Sequence, residues 1–219
     1  MKAVVRGAAV AAALVLALTG CAEGGSPAAK GELAPSFPGG TQQGSSSKTV
    51  WLDPTGLMNA LPVESSVSDV MVGGDPFMVQ GTEAVKHCAE ETGASCAGLV
   101  AVGGKDMEVR GNSSDDRVEF RLYSFETDKQ AGAVMKSLAD TERKSSAEYG
   151  EASKPVTVAS GADEIDAFQD DATAVAVMRI GTVVAHVYTT EIKPSDLEHV
   201  ATVQVQRVKT VAAGKNPGY

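Results

Sequence analysis

Residues 117–125 read R-V-E-F-R-L-Y-S-F, and this stretch decides the fold class. Apolar and charged side chains alternate along it with a period of two, which predicts an antiparallel strand with one buried and one solvated side. The apolar set is Val118, Phe120 and Leu122, and the charged set is Arg117, Glu119 and Arg121. We therefore expect an antiparallel sheet of which this strand is one member.

Further strands and helices are predicted on both sides of this stretch. Short apolar runs predict strands over 97–102, 107–110 after a Gly-Gly turn, 156–159, 164–168, 173–180 and 183–190. Helices are predicted within 53–62, over 82–92 with Thr82 as N-cap and Gly93 as the stop, from Thr127 to about 143–146, and from Ser195 to about Ala212. This order predicts an α+β fold in two layers, with the helices packed on one face of the antiparallel sheet.

The order of elements leaves open two rounds of β-β-β-α. Tyr123-Ser124-Phe125-Glu126 and Tyr188-Thr189-Thr190-Glu191 each end a strand shortly before a capped helix. Duplication of one unit would produce this likeness. Shared strand propensity would produce it too, because aromatic and β-branched residues are common in strands.

The composition sets the class of protein. The chain has 219 residues, of which 43% are hydrophobic and 21% charged, enough apolar material for one core and too little for a bundle of membrane helices. Its 19 basic residues against 28 acidic ones give a net charge of -9. Binding to the phosphate backbone of a nucleic acid needs clustered positive charge, so nucleic acid is excluded as a partner.

The N-terminus is typical of a secretory leader. Lys2 and Arg6 precede eleven apolar residues from Ala8 to Leu18, a run as long as a signal-peptide core and too short to span a bilayer. Leu18-Thr19-Gly20-Cys21 then resembles a bacterial lipobox, which implies cleavage before Cys21 and a lipid on its sulfur. The alternative is an ordinary secretory leader with a chance cysteine at its end.

The residues after Cys21 predict a flexible tether. Positions 22–47 hold six Gly, five Ser and three Pro, a composition typical of a linker. We assign 1–20 to the signal peptide, 21–49 to the lipidated cysteine and tether, 50–213 to one globular domain and 214–219 to a disordered tail. The predicted location is the extracytoplasmic face of the cell membrane, with the membrane as a partner through the lipid anchor.

Cys88 and Cys96 remain for the folded domain. They are eight positions apart in a chain predicted to enter an oxidising compartment, which predicts a disulfide across the turn at Gly93. Closing a loop of this size stabilises the fold by at most about 2.6 kcal/mol. A redox pair or a metal site is the alternative, but His87, the adjacent residue, points about 100° away from Cys88 on a helix.

Five carboxylates lie within nine residues, at Asp163, Glu164, Asp166, Asp170 and Asp171. A solvated acidic rim explains this density, and so does a docking site for a cation or a basic partner. The spacing lacks the pattern of a calcium loop, and successive residues of a strand face opposite sides. His186 in a strand and His199 in the last helix are too scattered to predict a metal site.

Catalytic motifs are missing from the sequence. It holds no G-x-S-x-G elbow, no G-x-x-x-x-G-K-[ST] phosphate loop, no G-x-G-x-x-G turn and no H-E-x-x-H helix. We therefore expect no catalytic residues, no metal and no cofactor. A cell-envelope hydrolase that uses a carboxylate or His186 is the alternative, because such residues can come together from distant parts of a chain.

The chain resembles small actinobacterial lipoproteins related to the extracytoplasmic sensor-like domain of mycobacterial receptor serine/threonine kinases. The resemblance rests on the lipobox, the tether, the strand-rich middle and the stretch Ala176–Ala185 before a last amphipathic helix. It implies an antiparallel sheet with flanking helices and a disulfide framework. That family typically has two disulfides, whereas this chain has one candidate pair.

The resemblance also implies a role in binding without catalysis. We expect a membrane-anchored, sensor-like domain that binds an envelope protein or a small or lipidic ligand. A second interpretation is an interaction protein that docks on an envelope complex through the acidic segment 163–171, and the hydrolase is a third.

Overall fold

The structure, a computed structural model, describes residues 49–68, 71–110, 116–149, 152–191 and 194–218. All of these fall in one compact unit, Ser46–Tyr219. The helices in these ranges are α1 (Pro54–Asn59), α2 (Glu64–Val67), α3 (Gly81–Thr92), α4 (Asp128–Tyr149) and α5 (Pro194–Ala212). The strands are β1 (Met71–Gly73), β2 (Phe77–Gln80), β3 (Leu99–Val109), β4 (Arg117–Phe125), β5 (Lys154–Pro155), β6 (Glu164–Gln169), β7 (Thr173–Ile180) and β8 (Val183–Thr190).

The strands form one antiparallel sheet in the order β1-β3-β4-β8-β7-β6-β5, with β2 paired to another part of β3. The alternating stretch R-V-E-F-R-L-Y-S-F is β4, and it pairs with β3 on one side and β8 on the other. The α+β class and the antiparallel sheet are thus confirmed.

Helices cover both faces of the sheet, and not one face as the sequence predicted. On the first face, α1, α2 and α5 pack over side chains such as Phe120 and Val187. On the second face, α3 and α4 pack over side chains such as Phe125 and Val184. The reason is that β7 and β8 carry apolar side chains on both of their sides, so each side must be removed from water.

The Gly-Gly pair at 103–104 lies inside a strand, and the turn predicted there is wrong. β3 runs through both glycines as one strand of eleven residues. A methyl group on Gly104 would lie 2.5 Å from the Phe77 ring and 2.8 Å from the Arg121 side chain. Glycine is therefore required there by close packing of β2 and β4 side chains rather than by a change of chain direction.

Two element boundaries also differ from the prediction. Helix α3 begins at Gly81 with Gln80 as its N-cap, so Thr82 lies inside the helix and does not cap it. The strand predicted over 156–159 is instead β5, and only the backbone N–H of Val156 continues the contact with Ala167. The stop at Gly93 is confirmed, because this residue adopts a left-handed φ of 68°.

The two rounds of strands and helices are not equivalent in space. β4 and β8 are antiparallel neighbours, so an axis that exchanges them is perpendicular to the sheet and keeps each face on its own side. Equivalent helices would then share a face, whereas α4 packs on the second face and α5 on the first. The similar strand ends at Tyr123 and Tyr188 therefore do not extend to a repeated β-β-β-α unit.

The hairpin between β7 and β8 turns at Gly181, which has a φ of 59°. Glycine at the first central position is typical of a type II′ turn, which matches the twist of the two strands. The turn also holds the start of the domain, because the backbone N–H of Thr182 donates to the Val50 carbonyl at 2.9 Å.

Gly181→Ala is expected to lower the free energy of unfolding by roughly 2–4 kcal/mol, because the new methyl group would lie 2.3 Å from the Val50 carbonyl oxygen. Gly161→Ala is the matched control, since Gly161 has a φ of 79° with nothing within 4 Å of the added methyl group. We expect the control to cost only about 1 kcal/mol, from backbone strain alone. Urea unfolding measures both, and equal losses would contradict the role of Val50.

Candidate functional site

A polar cleft of about 250 Å³ opens on the second face, where the cover provided by α3 and α4 ends. Its floor is formed by the strand pair β4 and β8, and its walls come from the two helices. The lining residues are Glu91, Arg117, Glu119, Arg121, Tyr123, Leu138, Glu142, His186 and Tyr188. This is the candidate functional site.

The register of β4 and β8 places the floor side chains. Arg121 lies opposite His186, and Glu119 lies opposite Tyr188. Further along the same face of β4, Tyr123 is completely buried. The second side of β4 is therefore solvated only at its charged end. The prediction of a solvated side holds for Arg117, Glu119 and Arg121, but not for the buried aromatic end at Tyr123.

A hydrogen bond joins the floor to the wall formed by α3. The Tyr123 hydroxyl donates to Glu91 Oε2 at 2.6 Å. Nδ1 of His87 lies 3.0 Å from the same oxygen, without the alignment of a hydrogen bond. Burial raises the pKa of Tyr123 well above its ordinary value, and the nearby Glu91 carboxylate raises it further, so this phenol acts only as a donor.

The Arg121 guanidinium is neutralised within the site. It donates to Asp106 Oδ1 at 2.6 Å and to Glu119 Oε2 at 3.3 Å, and it stacks 5.2 Å from the centre of the Phe77 ring. The second cation of the cleft, Arg117, lies 3.1 Å from the other oxygen of Glu119. Neither arginine is thus an unpaired cation toward an entering ligand.

Glu142 and His186 face each other at the centre of the cleft, with Oε1 and Nε2 3.5 Å apart. Burial raises the pKa of Glu142 to about 7, and the Glu119 and Glu91 carboxylates contribute to the rise. Burial lowers the pKa of His186 to about 3, with a further contribution from Arg121. Between these two values both groups are uncharged, so the pair is a carboxyl donor beside an imidazole and not a salt bridge.

His186 Nε2 is buried and has no hydrogen-bond partner among the described residues. The side chain itself is only 9% exposed. Buried polar atoms nearly always have a partner, so an unpaired one in a cleft indicates a position where another molecule can bind. In β8, His186 shares its strand face with Val184 and Tyr188.

The acidic segment 163–171 is largely neutralised by the protein itself. Glu164 pairs with Arg179 at 2.8 Å, and Asp166 makes a bidentate contact with Arg143. Asp163 accepts a hydrogen bond from the backbone N–H of Gly181 at 2.7 Å. These contacts place the carboxylates in the fold as structural partners.

The rest of the segment forms a turn. Asp170 accepts hydrogen bonds from the backbone N–H groups of Ala172 and Thr173 and from the Thr173 hydroxyl, between β6 and β7. Burial acts to raise the pKa of Asp170, but these hydrogen bonds outweigh it, and the pKa is lowered. Asp171 is exposed. In the parts of the chain that the structure describes, no group of three or more His, Cys, Asp or Glu side chains could hold a metal ion.

The predicted disulfide between Cys88 and Cys96 is present, and both cysteines are buried under α4. It closes the loop between α3 and β3 and so fixes the helix that carries Glu91.

His199 contacts the Val67 carbonyl on the first face, remote from the cleft. The predicted lipid site, Cys21, lies outside the described residues. No helix within those residues has the length and apolar character needed to cross a membrane.

Glu142→Gln is expected to stabilise the protein increasingly as pH rises. The folded state holds the Glu142 proton up to a pKa of about 7, whereas the ordinary value is 4.5, so the wild type loses stability as pH rises between these values. Glutamine has no proton to lose. The difference in unfolding free energy between variant and wild type should therefore grow by on the order of 2 kcal/mol between pH values of about 4 and about 8.

Urea unfolding at the two pH values measures this difference. Glu126→Gln, which removes an exposed carboxylate just before α4, is the control and should give a difference that changes little with pH. A pH-independent difference for Glu142→Gln would contradict the buried, protonated state of Glu142.

The extracellular domain of PknH from Mycobacterium tuberculosis is similar to this chain, with 17% sequence identity and a TM-score of 0.49. The match covers 73% of this chain and 97% of that domain. Compared with protein-family models and with curated proteins, the sequence matches none.

Proposed function

We propose that this chain is a lipid-anchored, extracytoplasmic lipoprotein whose folded domain binds a small polar ligand, or one side chain of a partner protein, in the second-face cleft. The binding is sensor-like and non-covalent. The observation that carries the proposal is the buried, unpaired Nε2 of His186 beside the protonated carboxyl of Glu142. The cleft, at about 250 Å³, suits a single sugar residue or side chain better than a large ligand.

The geometry of the pair favours a ligand with an acceptor and a donor side by side. Protonated Glu142 offers a donor, and neutral His186, in the tautomer that carries its proton on Nδ1, offers an acceptor at Nε2. A primary amide carries the complementary pair, since its carbonyl accepts and the N–H on the same side donates, whereas the carbonyl and N–H of a trans secondary amide point in opposite directions. The ring of Tyr188, 6.5 Å from that of His186, provides an apolar wall for the rest of such a ligand.

The acid–base properties of the pair also favour binding over catalysis. An imidazole with a pKa of about 3 is too weak a base to remove protons efficiently near neutral pH. Burial raises the pKa of Glu142 to about 7, which suits a general acid. The experiment must therefore distinguish ligand binding from hydrolysis.

Docking through the acidic segment 163–171 is supported less well. The carboxylates of Asp163, Glu164 and Asp166 already interact with Gly181, Arg179 and Arg143, so a basic partner would have to displace these contacts. Only the exposed Asp171 is open to a charge reversal that leaves the internal pairs intact.

The full chain is expected to bind benzamide at mildly acidic pH and to bind N-methylbenzamide, whose N–H points away from its carbonyl oxygen, much more weakly. His186→Phe removes the acceptor but keeps an aromatic ring, and it should weaken binding by about tenfold or more. Glu142→Gln keeps a donor that cannot ionise, so it should bind at alkaline pH, where the wild type loses affinity. Calorimetric titration measures these affinities.

Equal affinity of wild type and His186→Phe would contradict the proposed site. Hydrolysis of a β-linked N-acetylglucosamine oligomer by the wild type, with loss of turnover in Glu142→Gln, would replace binding by catalysis. Neither result depends on the lipid anchor, so the two halves of the proposal are tested separately.

The anchor predicts that the mature N-terminus begins at Cys21 with a diacylglyceryl group on the sulfur. Mass spectrometry of the N-terminal peptide should find this mass, and the protein should sediment with membranes. Cys21→Ser should leave the protein out of the membrane fraction, because it removes the acylated sulfur. A free thiol at Cys21, or unchanged sedimentation of the variant, would contradict the anchor.

A further inference from the structure

A second cleft, of about 590 Å³, lies at the opposite face of the sheet. It is bounded by α1 and the residues that follow it, by the end of α5 and by residues 214–218. Three basic side chains line it, at Lys105, Arg207 and Lys215. In a chain with a net charge of -9, this is a local concentration of positive charge.

Arg207 is the buried cation of this cleft, with 8% of its surface exposed. Its guanidinium donates to three backbone carbonyls, those of Leu61 at 2.9 Å, Asn59 at 3.1 Å and Gly218 at 3.3 Å. Within the described ranges no carboxylate forms an ion pair with it. A guanidinium has five N–H donors, so these three bonds leave two of them for another acceptor.

Lys105, in the same cleft, is a cation that has a carboxylate partner. Its side chain is 9% exposed, and its ammonium nitrogen lies 2.9 Å from Glu64 Oε1. The bond to Lys105 lowers the pKa of Glu64, so the carboxylate remains charged beside it. Lys105 is compensated in this way, whereas the hydrogen bonds that Arg207 makes to described residues all go to backbone carbonyls.

The acidic residue of the cleft does not fill this role. Asp53 caps α1, and its Oδ1 accepts the backbone N–H of Gly56 at 2.6 Å. Arg207 instead contacts the end of the same helix, at the Asn59 carbonyl. Buried charges in proteins are generally paired, and removing a charge from water without a partner is costly.

We infer that this first-face cleft is a binding site for the oxyanion group of a small ligand, with Arg207 as the residue that binds it. A planar guanidinium binds a carboxylate or a phosphate through parallel hydrogen bonds, and the bonds are stronger where water is excluded. Lys215, which is exposed at the rim, adds a second positive charge to the entrance. The inference is independent of the function proposed for the second-face cleft.

Inorganic phosphate and acetate are the probes for the two oxyanion types. The full chain should show a higher unfolding temperature in one or both of these anions than in chloride at the same ionic strength. Because phosphate also stabilises proteins non-specifically by exclusion from their surface, only a rise that saturates with anion concentration counts as binding. Saturation with phosphate alone identifies a phosphate site, and saturation with acetate alone identifies a carboxylate site. No stabilisation beyond chloride by either anion overturns the inference and leaves Arg207 with its carbonyl contacts alone.

Two variants locate the binding. Asn59→Asp places a carboxylate in the cleft without changing side-chain size, so it should raise the unfolding temperature and weaken anion binding by about tenfold or more. Gln206→Glu adds the same charge on the exposed side of α5, outside the cleft, and should leave anion binding nearly unchanged. These variants avoid substitution of Arg207, whose loss would leave three carbonyls unpaired.

Calorimetric titration of each variant with the active anion decides the location. Equal affinity of wild type and Asn59→Asp overturns the inference, as does equal weakening by Gln206→Glu. His186→Phe should bind the anion as the wild type does. A negative result for anion binding in the first-face cleft can therefore be told apart from a negative result for ligand binding in the second-face cleft.

Discussion

Burial of both faces of the sheet is the constraint on which the rest of this structure depends. In β8, Val183, Ala185 and Val187 face one layer of helices, and Val184 faces the other. Such a strand is stable only if helices cover each side, because an uncovered side would leave apolar surface in water. The disulfide between Cys88 and Cys96 holds α3 in the second layer, where it meets α4. Both clefts lie where this cover is incomplete.

Part of this arrangement could be predicted from the sequence. The period of two in β4 correctly identified an antiparallel strand, and the caps and stops identified α1, α4 and α5 within a few residues. Apolar residues on both sides of β7 and β8 already indicated burial on two sides, but the prediction of helices on one face rested on the order of strands and helices along the chain. The Gly-Gly pair was misread because its cause, the Phe77 ring, lies in a strand distant in sequence.

The candidate site could be predicted less well, for a physical reason. Glu142 continues the helical stripe of Leu138 and Ala139, and a carboxylate on the buried side of an amphipathic helix is a signal that the sequence contained. The approach of Glu142 to His186, and of Glu91 to Tyr123, depends on how two helices cross the sheet. Local spacing does not encode these distances, since helix and strand residues more than thirty positions apart meet only through packing.

The two clefts differ in how the fold accommodates a buried ionisable group. A buried carboxyl avoids charge by keeping its proton, and a buried imidazole avoids it by releasing one. Glu142 and His186 do this, and their shifted pKa values are the result. Lys105 keeps its charge because Glu64 compensates it. A guanidinium cannot release its proton in a protein, and Arg207 lacks a compensating carboxylate among the described residues. Of these four groups, Arg207 is therefore the one that gains most from a bound anion, and the second-face pair gains most from a neutral ligand.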